Sequence, residues 1–219
     1  MTLKLRVADQ RGLKEAQQVV AMCHYLHAPV DQRCRPFAYV AELNEMPMGY
    51  LIFGRPEATR CYTGKLTYGS YQDVREGRAR FDRWEVLNLA RVWLDPRIQK
   101  GGTHYIHHAA STVIKAALST IAFDYLLVHP PVDCNYPYQI RCVMSYCDTR
   151  KHSGWIYLAS RFKLARTNDE GIQTYMKVIA PLGPEQDELI RKLATQSLRS
   201  KRIRATRRSE ALQLEITGL

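Results

Sequence analysis

Apolar and polar positions alternate over Leu3–Val7, the pattern of a short strand. Between Leu13 and Leu26 the period lengthens. Leu13, Ala16, Val19, Val20, Cys23 and Leu26 recur at helical spacing, and Pro29 stops the run. Two strand-like runs, 37–43 and 48–54, flank Asn44-Glu-Met-Pro and predict a hairpin. From Arg55 to Arg83 the chain is polar, with glycines and tyrosines, and reads as a long irregular loop. Trp84–Leu94 predicts a buried strand ended by Asp95-Pro96. Gly101-Gly102-Thr103 then opens a helix with Ile106, Ala109, Ala110, Val113, Ile114, Ala117 and Leu118 inward.

Further strands are expected over 124–128 and 139–146, joined by the proline-rich stretch 130–137. A helix is expected over 153–161. A last hairpin, 162–166 and 173–179, turns at Asn168-Asp-Glu-Gly. Strands mixed with helices in this order predict an α/β (α+β) layer fold, a mixed central β-sheet flanked by helices. The predicted division is one domain over 1–180 and a basic helical tail over 181–219.

Composition changes the picture mainly through charge. The 219 residues carry 32 Lys plus Arg against 21 Asp plus Glu, a net +11. Eight basic residues and no acidic one lie between Arg191 and Arg208, and without them the remainder is +3. A polyanionic partner is expected, double-stranded DNA before others, with a solubility tail as the bland alternative. Hydrophobic content of 46% with 24% charge is ordinary for a folded soluble chain. No run approaches the ~20 consecutive apolar residues of a membrane span, and no secretion signal is evident. The expectation is a cytoplasmic protein with reduced cysteines (six, with no C-x-x-C) and no membrane partner. The oligomeric state is open, a homodimer among the options.

Two segments can carry chemistry. In Val92-Trp-Leu-Asp-Pro-Arg-Ile-Gln-Lys-Gly-Gly-Thr-His a strand ends, glycines turn the chain and a helix is expected, a place suited to phosphate. It resembles the acyl-coenzyme A pyrophosphate loop of GNAT transferases, which implies Gln99, Gly101, Gly102 and Thr103 as donor-binding residues. An empty helix cap is the alternative. The second segment, 145–162, resembles the element of the phage Mom family in which Ser-Tyr-x-Asp is followed by His-x-Gly-x-x-Tyr-x-Ala-x-x-Phe. The matching positions are Ser145, Tyr146, Asp148, His152, Gly154, Tyr157, Ala159 and Phe162. His24-Tyr25 and the strand bearing Arg91 are similar to two further pieces of that family.

The resemblance implies a GNAT-like transferase that modifies the adenine amino group of DNA, giving a carbamoylmethyl-type base that shields DNA from restriction. It implies Asp148 as proton acceptor or amine holder, Tyr157 as the acid for the leaving group, and His24, Tyr25 and Arg91 beside them. Read from the residues alone, a helix cap is favoured for Asp148 and a core position for Tyr157, while Arg91 either binds a phosphate or acyl carboxylate or pairs with Glu85 or Asp95. The donor expected from the fold is acyl-coenzyme A-like, with aminoacyl-tRNA as an option.

For DNA the candidates are Lys65, Arg75, Arg78, Arg80, Arg199, Lys201, Arg202 and Arg204, with Tyr62, Tyr68 and Tyr71 as stacking rings. His104, His107 and His108 have helical spacing, but a solvated face is favoured over metal, and no metal site is assigned. The rival readings are a GNAT acyltransferase acting on a protein or small amine, and a non-enzymatic nucleic-acid binder, the latter because His104 stands where a small residue is expected.

Overall fold

The computed structural model describes residues 3–58, 61, 68–131 and 138–198. A seven-stranded mixed sheet runs through it in the order β1-β2-β3-β6-β7-β9-β8. β1 (Lys4–Val7), β2 (Phe37–Leu43), β3 (Met46–Gly54) and β6 (Val86–Leu94) pair antiparallel in succession. β6 and β7 (Cys142–Asp148) run parallel, and β9 (Ile172–Val178) and β8 (Lys163–Thr167) complete the sheet antiparallel. The mixed sheet flanked by helices expected from the sequence is the observed architecture.

Both faces of the sheet are covered. Phe37, Tyr39, Ala41 and Leu43 of β2 point to the face packed by α3 (Ala109–Val128), through Val113, Ile114, Ala117 and Ile121. Ala38 and Val40 point to the other face, where Ala16 and Val20 of α1 (Gln10–Cys23) lie. A strand buried on both sides loses its polar alternation, which is why β2 and β3 read as continuous apolar runs. Asp9 caps α1, its carboxylate accepting from the Gly12 amide at 2.7 Å.

The elements differ from expectation in three places. Residues 124–128, expected as a strand, are the end of α3. A four-residue apolar run cannot by itself separate strand from buried helix, and no glycine or proline interrupts the chain from Ala109 to Val128. α3 starts at Ala109, six residues after the expected start, because turns fill 100–108. Within the expected loop, Tyr71–Arg75 forms the short helix α2, and β4 (Tyr68–Gly69) pairs parallel with β5 (Phe81–Asp82). Ser70 and Asp73 close a capping box there, and Arg78 pairs with the buried Asp73 at 2.8 Å.

By length and composition α3 would also pass for a membrane span, contrary to the sequence expectation, yet its buried residues pack on the sheet. Residues 184–198 are helical and dock through Ile190, which is buried in the main core, while Gln139 donates to Asp187 at 2.8 Å. The five described cysteines are free thiols.

Candidate active site

The site follows from a fork in the sheet. β6 and β7 share parallel rungs only at Val86↔Cys142, Leu87↔Val143 and Asn88↔Met144. Beyond Asn88 the ladder stops, although β6 continues to Leu94 and β7 to Asp148. The Ser145 hydroxyl donates to the Leu89 carbonyl at 2.8 Å, bridging the strands where they part. A register shift opposite Ile52 and Phe53 adds a residue to β6 at Ala90. Such a bulge turns the following side chain, here Arg91, out of the alternation. The cavity below the fork is about 690 Å³.

His24 and Tyr25 come from just past the end of α1, Arg91 from β6, Asp148 from the end of β7 and Tyr157 from α4 (Trp155–Ala159); all five line that cavity. The Tyr25 ring lies 4.4 Å from His24 and 4.6 Å, edge-on, from His152. His24 Nδ1 accepts from the Leu26 amide at 3.2 Å, so the neutral ring presents Nε2–H. Burial first, then Arg91, pushes His24 down to about 4. It is a neutral hydrogen-bond donor at pH 7.

Arg91 pairs with neither Glu85 nor Asp95, which face Arg141 and Arg97 instead. Its Nη1 and Nε donate to the carbonyls of Ala90 (2.7 Å) and Ala28 (3.3 Å), and it makes no ion pair among the described residues. A guanidinium so held is a ready partner for an anionic ligand group. Burial lowers its pKa, while Tyr25 and Glu57 oppose that.

Asp148 requires a correction. Arg150 grips its carboxylate through Nε at 2.8 Å and Nη2 at 2.9 Å, holding it at about 2. A carboxylate so paired is a poor proton acceptor, which leaves the other expected role, holding the amine. Nor does Asp148 cap α4, whose N-cap is Gly154; it organises the turn before it, accepting from the Arg150 amide at 3.0 Å.

Tyr157 stacks on Tyr175 at 5.1 Å and meets Phe162 edge-on at 5.7 Å. Burial pushes its phenol up to about 12, with the Ser145 hydroxyl pulling the other way. Like an ordinary tyrosine it is protonated at neutral pH and can give a proton to a leaving group, and the upward shift makes it a weaker acid than usual. His152, Asn88, Glu57 and Trp155 also line the cavity and were missing from the sequence-level set. The His-x-Gly-x-x-Tyr spacing carried the signal for His152; nothing in the sequence marked the other three.

The expected donor loop is rearranged. The Gln99 side chain donates to the Leu94 carbonyl at 2.6 Å, and the Gly102 amide to the Gln99 carbonyl at 2.9 Å. A Cβ at Gly102 would lie 2.3 Å from the carbonyls of Pro96 and Arg97, so that glycine serves the turn itself. Gly101, at φ +89°, and Thr103 do not begin the helix. A second cavity of about 220 Å³ instead meets Gln99, Lys100, His108, Ala109, Ala110 and Ser111 at the start of α3. His108 gives no side-chain cap there, and with the Ala109 amide given to the Ile106 carbonyl at 3.2 Å, the amides of Ala110 and Ser111 remain for an anion. Trp155 and Ile156 line both cavities, so the two adjoin.

The nucleic-acid candidates do not form one described surface. Lys65, Tyr62, Arg199, Lys201, Arg202 and Arg204 lie outside the described residues. Tyr68 is fully buried and cannot stack on a base. Arg78 neutralises the buried Asp73, and Arg80 lies over Phe81 at 5.3 Å; Arg75 and Tyr71 are exposed on α2. His104, His107 and His108 fall on turns, not on one helix face, and no metal-holding cluster occurs among the described residues.

No family model and no curated protein sequence matches the chain. Solved structures of similar shape include a Bacillus subtilis acetyltransferase in complex with coenzyme A, at 8% identity and TM-score 0.45 over 82% of this chain and 100% of that one. An aminoglycoside acetyltransferase in complex with coenzyme A has 15% identity and TM-score 0.45, over 87% and 99%. A GNAT-family acetyltransferase from Streptococcus pneumoniae has 12% identity and TM-score 0.46, over 82% and 100%. Likeness at this level bears on neither donor nor acceptor.

Proposed function

We propose that this chain is a GNAT-like group transferase that moves an acyl-type group from a thioester donor to an amine bound below the fork. One observation carries the reading: His24, Tyr25, Arg91, Asp148 and Tyr157, distant in sequence, line a single cavity. The donor, when bound, supplies the activated acyl carbon. Lys100 and the first amides of α3 hold its phosphates, and the gap between β6 and β7 takes its arm. Tyr157 gives its proton to the departing thiolate. His152, against Tyr25, takes the proton from the amine, and Asp148 with Arg91 orients charged groups on the acceptor.

A second reading names the acceptor as an adenine amino group in DNA. It is favoured because five of the eight positions similar to the Mom family in 145–162, Tyr146, Asp148, His152, Gly154 and Tyr157, line the same cavity, and because the chain carries +11. Trp155, 66% exposed at the mouth, offers a ring for a base taken out of the stack.

Thiol release from acetyl-coenzyme A, measured with an adenine-containing duplex, spermidine and a lysine peptide in turn, tests both readings. Release with at least one amine is expected, lowered by about 10²-fold or more in Tyr157→Phe at unchanged melting temperature. Release with the duplex, and a modified adenosine in its digest, supports the second reading. Release with none of the three contradicts both.

A further inference from the structure

Arg91 spends Nε and Nη1 on backbone carbonyls, and its Nη2 has no partner among the described residues. The side-chain atoms there that are both unpartnered and sealed from solvent are Arg55 Nε, Asn88 Oδ1 and His129 Nε2. Arg91 Nη2 is not one of them, so it is open at the cavity that Arg91 lines. Two neighbouring donors share that state. His24 presents Nε2–H, because its Nδ1 accepts from the Leu26 amide. Tyr25 Oη makes no hydrogen bond among the described residues, and neither atom is sealed.

The three side chains act on one space. The His24 and Tyr25 rings lie 4.4 Å apart, and both feel the Arg91 charge. Burial, then Arg91, holds His24 neutral; burial, then Cys147, raises the Tyr25 phenol. One therefore offers N–H and the other O–H beside a guanidinium, which is the donor set of an oxyanion site. Charge limits the guest. Asp148 and Arg150 cancel each other, and Glu57 adds a negative charge to the same lining. A single free positive charge opposed by Glu57 suits one negative charge and disfavours a dianion.

We propose that Arg91, His24 and Tyr25 bind one singly charged oxyanion, a carboxylate or a phosphodiester, carried by the acceptor. None of the three lines the second cavity, where the donor's phosphates are placed, so this anion is not the donor's diphosphate. Tyr25 also meets His152 edge-on at 4.6 Å, which sets the anion beside the group that takes the amine's proton. The assignment to the acceptor rests on the transferase reading above; the anion site itself does not.

Titration with acetate, dimethyl phosphate and inorganic phosphate, at constant ionic strength and about pH 8, tests the site without turnover. The His24 ring protons, assigned by their loss in His24→Gln, report occupancy by NMR. The expected result is a saturable shift with acetate or dimethyl phosphate, with Kd on the order of 10 mM or tighter. Arg91→Met raises that Kd about tenfold or more and Tyr25→Phe about threefold, and Tyr25→Phe alone decides should Arg91→Met not fold. Arg75→Met, which removes an exposed charge from α2, leaves it within about twofold. The tighter probe names the source, a carboxylate on a small acceptor or the backbone of a nucleic acid. No saturable shift with either, a Kd unmoved by Tyr25→Phe, an equal loss in Arg75→Met, or inorganic phosphate binding tighter than both overturns the inference. Thiol release is read separately: a failed titration leaves the transferase reading standing, and an inert wild type removes only the assignment to an acceptor.

Discussion

At the scale of single residues, the site is a set of side chains whose protonation is fixed by their neighbours. Asp148 and Arg150 repeat a local device used twice elsewhere: Asp31 with Arg33 and Asp95 with Arg97 make the same Asp-x-Arg turn. In each, the carboxylate accepts from the arginine's amide and from its guanidinium. That i, i+2 spacing is visible in the sequence and marks Asp148 as a paired carboxylate before any base chemistry is considered. His24 gives a pH test. Its folded value, about 4, lies below the 6.5 of an unperturbed histidine. Between those values the unfolded chain binds the extra proton, so stability falls as pH falls from ~6.5 to about 4 and is recovered above. Urea unfolding across that range should show a shallower loss in His24→Gln than in wild type. Identical slopes would mean that burial does not hold the imidazole neutral.

At the scale of elements, most of the strands and the first helix were legible because their apolar periods are local. What was not legible depends on partners distant in sequence. The bulge that turns Arg91 toward the cavity exists only relative to the register of β3, and the fork only relative to β7. The Tyr125-Leu-Leu-Val run needed the whole length of α3 to be read as helix. The helix α2 did leave a signal, the Ser-x-x-Asp of its capping box, within a stretch otherwise read as loop.

Gly102, in the turn before α3, and Gly77, after α2, are two kinds of glycine. Gly102→Ala sets a Cβ against two carbonyls at 2.3 Å and should lower stability by about 2 kcal/mol or more. Gly77→Ala, at φ +72° with nothing within 4 Å, should lose only about 1 kcal/mol from backbone strain. Chemical denaturation of both variants measures the difference. A Gly102→Ala as mild as Gly77→Ala would show that the 95–104 turn yields easily and does not brace the donor end of the site.

At the scale of the molecule, one sheet does two jobs. Its closed part, β1 to β6 and β7 to β9, carries apolar cores on both faces; its open part, past Asn88, leaves strand edges and side chains from segments far apart in sequence around a cavity. The resemblance in residues 145–162, with its two further pieces at His24-Tyr25 and around Arg91, brought those three residues together with Asp148 and Tyr157 from sequence. It did not supply Asn88, Glu57 or Trp155, because cavity membership follows from where the strands separate. The basic charge that pointed to a polyanion lies largely outside the described residues, in the 199–208 stretch, so the acceptor is argued from the cavity and from assays.

The central claim is that the gap between β6 and β7 receives a thioester donor. A crystal structure with coenzyme A measures this directly. The account predicts the sulfur inside the 690 Å³ cavity near Tyr157 and the diphosphate at Lys100 and the amides of Ala110 and Ser111. Coenzyme A bound on another face, or a diphosphate at this place with its arm directed away from the fork, would contradict it.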